Sequence, residues 1–140
     1  MKSKIIIKLV ESWKQNEIIK LYKEGGWWKQ NYKSSGIKHL IKGSFAFAIA
    51  LDTNKKKAVG MGRVLSDGFS DAYIQDLVVL KEYRNKGIGR ELVNFLISYC
   101  KKKGINWISL IAEPNQDLFY EELGFKTMKN YTPMKFKTKE

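Results

Sequence analysis

The chain has 140 residues, 44% hydrophobic and 13% aromatic, with 26 Lys and Arg against 14 Asp and Glu for a net charge of +12. That length suits one domain with a true core, and no linker or repeat divides it, so residues 1–140 read as a single domain. A lone cysteine, Cys100, excludes an internal disulfide, and no apolar run approaches the roughly 20 residues of a membrane span.

The basic start Met1-Lys2-Ser3-Lys4 is followed by Ile5-Ile6-Ile7, which Lys8 interrupts, so no signal peptide and a cytoplasmic location are expected. Ile5 to Val10 predicts a first strand. Asn16 to Glu24 carries Ile18, Ile19, Leu21 and Tyr22 at helical spacing, and Gly25-Gly26 stops it. A short helix is expected over 37–42, ending at Gly43. Phe45 to Leu51 and Ala58 to Val64 are strands about an Asp52-Thr53-Asn54-Lys55 turn, Ser66-Asp67-Gly68 is a second turn, and Tyr73 to Leu80 is the fourth strand.

Gly89 to Lys103 is the clearest helix, with Leu92, Leu96 and Tyr99 on one stripe, Val93 and Cys100 beside it, and Gly104 as its stop. Trp107 to Ala112 is nearly all apolar, as a strand covered on both sides is. A short helix covers about 116–123, and the tail Lys126 to Lys137 alternates as one or two edge strands do. The lysine runs have local reasons: Lys55-Lys56-Lys57 at a hairpin tip, and Lys101-Lys102-Lys103 in a last helical turn, where cations suit the dipole. With no base-reading motif, nucleic acid is not an expected partner.

Between the fourth strand and the long helix lies the most informative stretch, Arg84-Asn85-Lys86-Gly87-Ile88-Gly89-Arg90. N–H groups at a helix start favour an anion, and glycines without Cβ let a pyrophosphate come close. Arg84, Lys86 and Arg90 add charge. The third glycine of a dinucleotide fingerprint is replaced by Leu92, and no Gly-x-x-x-x-Gly-Lys-Ser/Thr run exists.

Arg84-x-x-Gly87-x-Gly89 resembles the acyl-CoA loop of the GNAT N-acetyltransferase superfamily. Trp107 to Ala112 resembles that family's next strand, Asn115 follows it, and Phe119 to Phe125 resembles its Tyr-x-x-x-Gly-Phe signature. The resemblance implies a mixed α/β (α+β) fold: a mostly antiparallel central sheet, splayed between strands 4 and 5, with helices on both faces. It implies acetyl-CoA as cosubstrate. The pantetheine arm would pair with the backbone of Leu77, Val78 and Val79, and the pyrophosphate would lie on Arg84, Asn85, Lys86, Gly87, Ile88, Gly89 and Arg90.

Tyr120 matches the family's general acid. A phenol near pKa 10 protonates a thiolate near 8.5 at modest cost. A tyrosine on an apolar helix is otherwise an ordinary core residue; the motif tips the reading. Asn115 would either bond the pantetheine or cap the short helix. For the base, a carboxylate inside a buried strand needs a partner or a role, which singles out Asp76. Asp67 and Asp71 stand just upstream and would draw a cationic acceptor, although Ser66-Asp67-Gly68 also suits a plain turn.

The family's acceptor site implies Trp27 and Trp28 as aromatic walls for an amine, joined by Phe69 and Tyr73. His39 is a secondary base candidate, Cys100 reads as core, and no metal constellation is present. Gly60-Met61-Gly62-Arg63-Val64 with Ser66-Asp67-Gly68 is also similar to the branch that includes plant-type arylalkylamine acetyltransferases. The expected acceptor is a small primary amine, an arylalkylamine or polyamine, with a protein lysine or N-terminus as the rival acceptor and a non-catalytic acyl-CoA sensor as the rival class. No membrane partner is expected, and a homodimer stays open.

Overall fold

The computed structural model describes residues 4–138; Met1, Lys2 and Ser3, part of the reading against a leader, lie outside them. The chain forms two compact units, one running to Leu110 and one from Ile111 onward. In the first, strands Ile5–Leu9 (β1), Ala46–Asp52 (β2), Lys57–Ser66 (β3), Asp71–Val79 (β4) and Trp107–Ser109 (β5) form one sheet in sequence order. Neighbours are antiparallel except β4 and β5, which are parallel. Helices Gln15–Glu24 (α1), Gly36–Gly43 (α2) and Ile88–Lys102 (α3) complete this unit. The second unit holds one short helix, Asp117–Glu122 (α4).

The expected helices are present, each within one or two residues of its predicted bounds. Leu92, Val93, Leu96 and Cys100 of α3 are fully buried, and α3 lies on β3 where that strand has no side chains. A Cβ on Gly60 would sit 3.2 Å from Leu92 Cδ1, and one on Gly62 would sit 3.1 Å from Leu96 Cδ1. The glycine pair therefore sets how closely helix and sheet approach. Arg63, next in β3, points to the other face by strand alternation. There α1 packs: Ile18 and Leu21 are fully buried, and Glu17 accepts a bond from the Ala58 N–H at 2.8 Å. Helices thus cover both faces, as expected. No helix among the described residues is long and apolar enough to cross a membrane.

Two expectations fail at the C-terminal side. The strand read over Trp107 to Ala112 ends at Ser109, and its ladder meets β4 only at Asp71, Ala72 and Tyr73. An apolar run needs a partner as well as a pattern, and β4 offers β5 only three residues. The tail Lys126 to Lys137 contains no strand among the described residues. Its alternation is broken by a turn in which Asn130 takes φ +69° and the Tyr131 N–H bonds the Met128 carbonyl at 3.2 Å. Pro133 then removes a ladder donor.

Candidate functional site

From Ile74 to Val79, β4 continues without β5, so the two parallel strands part after three residue pairs. This is the splay expected of the fold. The backbone there is also bulged. Met61 pairs with Val78 and Arg63 with Gln75, so Gly62 alone stands opposite both Asp76 and Leu77. Asp76 takes φ +59°, a left-handed conformation uncommon for a residue with a Cβ. Beyond the bulge, the Leu80 N–H bonds the Val59 carbonyl of β3 at 2.8 Å. Alternation along an antiparallel strand then turns the amide edges of Val79 and Leu77 away from β3, toward the open side of β4. Leu77 and Val79 thus turn their amide edges to the gap, whereas Val78 between them pairs with Met61 of β3.

The chain leaves β4 through a single 3₁₀ turn, Lys81–Tyr83, and enters α3 at Gly87. Asn85 and Gly87 take φ +63° and +81°, and successive turns of this kind direct backbone N–H groups outward. Nothing lies within 4 Å of where a Gly87 Cβ would be, so the approach to the helix start is open. Arg84, Asn85, Lys86 and Arg90 are exposed around it, and Ile88 is buried beneath. Arg84 is partly engaged: its Nε donates to the Val79 carbonyl at 2.9 Å and its guanidinium meets Glu24 at 3.4 Å. Lys86 Nζ lies 5.6 Å from the centroid of the Tyr83 ring. Tyr83 donates to Asp52, a fully buried carboxylate, at 2.7 Å; that bond foremost, with burial, pushes the Tyr83 hydroxyl up to about 12. Asp52 also accepts the Asn54 and Lys55 N–H groups, so the β2–β3 turn and the loop after β4 share one anchor.

On the α1 face the bulge meets a polar network. Asp76 Oδ2 accepts from Arg63 Nε at 2.6 Å and from the Tyr22 hydroxyl at 2.8 Å. Burial, then the Asp76 charge, raises the Tyr22 hydroxyl. Arg63 further donates to Gln75 Oε1 at 3.3 Å and Ser44 Oγ at 3.4 Å. Trp27 packs edge-on to Tyr22 with ring centroids 6.1 Å apart and lies over Gly25, where a Cβ would come within 2.6 Å of the indole. Trp28 pairs instead with Tyr32.

Asp67 and Asp71 lie at the β3–β4 turn, away from Asp76. Asp71 and Asp76 are five positions apart on β4, roughly 16 Å at strand rise. Asp67 accepts the Phe69 and Ser70 N–H groups at 2.7 and 2.8 Å and the Ser70 hydroxyl at 2.9 Å. The Ser70 and Phe69 amides hold its carboxyl below the usual range, which is turn chemistry. Phe69 is 87% exposed at that tip. Tyr73, half-buried with its hydroxyl raised by burial, lies where β4 and β5 still pair. His39 is exposed, and Cys100 is core with its thiol raised by burial.

In the second unit, Asn115 takes φ +67° and is exposed; the α4 N-cap is Gln116, so the capping role for Asn115 is not realised. Tyr120 is half-buried on α4 between Phe119 and Phe125, with centroids 5.0 and 5.8 Å away. Burial, then the Glu113 charge, raises its hydroxyl and keeps it protonated at neutral pH.

Sequence reasoning missed Arg63, Tyr22, Asp52 and Tyr83. The argument that a strand carboxylate needs a partner, applied to Asp76, would have pointed to Arg63, a cation in the middle of the preceding apolar strand.

The model of the acetyltransferase (GNAT) family matches residues 8–125. A protein named uncharacterized N-acetyltransferase ycf52, from Gracilaria tenuistipitata var. liui, is 33% identical over 114 residues, covering 80% of this chain; the chain spans 62% of that protein's length. The chloroplastic serotonin N-acetyltransferase 2 of Oryza sativa subsp. japonica is 35% identical over 69 residues, 49% of this chain and 34% of that protein. A solved GNAT-family acetyltransferase of Streptococcus pneumoniae TIGR4 superposes with a TM-score of 0.79 at 28% identity, over 98% of this chain and all of that one.

Proposed function

Because the chain belongs to the acetyltransferase (GNAT) family, we propose that it transfers an acetyl group from acetyl-CoA directly to a primary amine. The observation that carries this reading is the bulged length of β4 that has no β5 strand beside it and runs into the open helix start at Gly87. A linear acylated arm fits beside such an edge, adding backbone bonds as an extra strand does. The anionic end fits the N–H groups and the charges of Arg84, Lys86 and Arg90. In this reading Leu77, Val78 and Val79 hold the pantetheine, and one of their N–H groups polarises the thioester carbonyl. Asn85, Ile88 and Gly89 shape the loop, and Asn115 bonds the arm.

The amine nitrogen attacks the thioester carbon and the C–S bond breaks. The departing sulfur takes the Tyr120 proton, and the proton that the nitrogen releases passes through water to restore the Tyr120 phenol. The base expected at Asp76 meets a carboxylate oxygen already bonded to Arg63 and Tyr22. Trp27 beside Tyr22 supports an acceptor that places a cation or ring against indole. A small arylalkylamine or polyamine is that kind of acceptor, and the name of the rice relative supports the same class. The proposal places the reaction in the cytoplasm.

The test is free-thiol release from acetyl-CoA against small amines and peptides, with a no-acceptor control. Release that depends on a small amine supports the reading. Release only with peptides moves the acceptor to protein lysines or N-termini. Binding of CoA without release from any acceptor makes the chain a sensor, and no CoA binding overturns the proposal.

A further inference from the structure

We infer that Arg63 and Tyr22 are positioning residues: they hold Asp76 in its left-handed conformation and thereby fix the β4 bulge that turns Leu77 toward the gap. This rests on the reading of that gap as the acyl-CoA site. Four observations carry it. The bulge is a two-against-one register, with Asp76 and Leu77 facing Gly62. Asp76 is its residue at φ +59°, where a Cβ is disfavoured and outside restraint is needed to keep one conformer. The restraint is visible: one carboxylate oxygen takes a charged donor at 2.6 Å and a hydroxyl at 2.8 Å. Those donors come from β3 and α1, and Arg63 also reaches Gln75, the residue before Asp76, and Ser44 just after α2.

The Tyr22 donor is 5% exposed, and the Arg63 side chain is 16% exposed, so the pair is little screened. If Asp76 relaxed to extended backbone, the extra residue would vanish and the side chains beyond it would exchange faces. Leu77, now beside Gly62 with its Cδ1 3.4 Å from where a Gly62 Cβ would be, would swing to the α1 side. Its amide edge would no longer face the gap. Asp76 therefore acts through the backbone it holds, and its carboxylate is occupied in doing so.

Glycine and alanine at position 76 separate this from a base. Both remove the carboxylate, but only glycine takes positive φ freely. We expect Asp76→Ala and Arg63→Met to lower kcat at least about tenfold, since small misplacement at a reacting centre is costly, with a smaller rise in KM for acetyl-CoA because the arm loses the Leu77 edge while the phosphate site at Gly87 is kept. Asp76→Gly should retain at least about ten times the kcat of Asp76→Ala, and adding Arg63→Met to it should cost far less than in the wild-type chain. Arg63→Lys, which keeps the charge without the fork, is the second variant should Met prevent folding.

Equal loss of kcat in Asp76→Gly and Asp76→Ala overturns the inference and returns Asp76 to the chemistry, as does wild-type kcat in both Arg63 variants. A wild-type chain that releases no thiol with any amine refutes the acetyl-transfer reading alone. The restraint is then read from hydrogen–deuterium exchange across 74–79. It should quicken more in Asp76→Ala than in Asp76→Gly, and equal exchange in both overturns it.

Discussion

Tyr83→Phe tests whether the loop after β4 is anchored through a single hydroxyl. The ring is retained, so the packing and the nearby ammonium groups of Lys57 and Lys86, 5.8 and 5.6 Å from its centroid, stay in place. What is lost is the 2.7 Å bond to Asp52, a carboxylate with 0% exposure, from a tyrosine that is 7% exposed. Hydrogen bonds to charged groups contribute about 1.5–3 kcal/mol, and a buried carboxylate cannot recover the bond from solvent. We expect a loss of about 2 kcal/mol in urea unfolding, and a melting midpoint lower by roughly 6–10 °C for a chain of this size. A cycle with Asp52→Ala should return most of that figure as coupling.

The pH dependence gives a second readout. The hydroxyl rises to about 12 in the folded chain from about 10 when unfolded. Above pH 10 the unfolded chain releases this proton first, so the stabilisation is complete below about pH 10 and fades as pH rises through about 12. The gap between wild type and Tyr83→Phe should be level from pH 7 to 9 and shrink above 10. A loss below about 0.5 kcal/mol, the range of ordinary surface changes, would refute the anchor; so would a gap unchanged at pH 11.

Three further outcomes are expected. Tyr120→Phe should reduce kcat about 10²-fold or more, the span of a general acid, while CoA affinity in a thermal-shift titration stays level; unchanged turnover removes the acid role. Gly87→Val puts a β-branched residue at φ +81° in the loop and should cost about 1–3 kcal/mol of stability and weaken CoA binding measured by calorimetry; intact binding would mean the phosphates lie elsewhere. Gly25→Ala should push the Trp27 ring from its place 2.6 Å from the new Cβ, changing tryptophan fluorescence and raising KM for the amine but not for acetyl-CoA; an unmoved KM would separate Trp27 from the acceptor site.

Local chemistry determined much of this protein before any contact was known. Helix α3 was legible because Leu92, Leu96 and Tyr99 repeat at helical spacing, with Val93 and Cys100 beside them, between Gly89 and the stop at Gly104, which takes φ +83°. The anion-binding character of the loop was legible too, since glycines and basic residues at a helix start act over a few neighbours. Extent was less so. Trp107 to Ala112 and the tail satisfied the pattern of strands, but a strand exists only where another edge bonds it, and alternation carries no information about that edge.

The polar partners were out of reach for the same reason. Asp76 and Tyr22 are 54 residues apart, and Asp52 and Tyr83 are 31 apart. Which groups meet across such distances is decided by sheet order, register and the side of the sheet each helix takes. The left-handed Asp76 is the sharpest case. Its place in the strand pattern gives no sign of a bulge, whereas Arg63 from β3 and Tyr22 from α1 converge on its carboxylate only once sheet and helix are assembled.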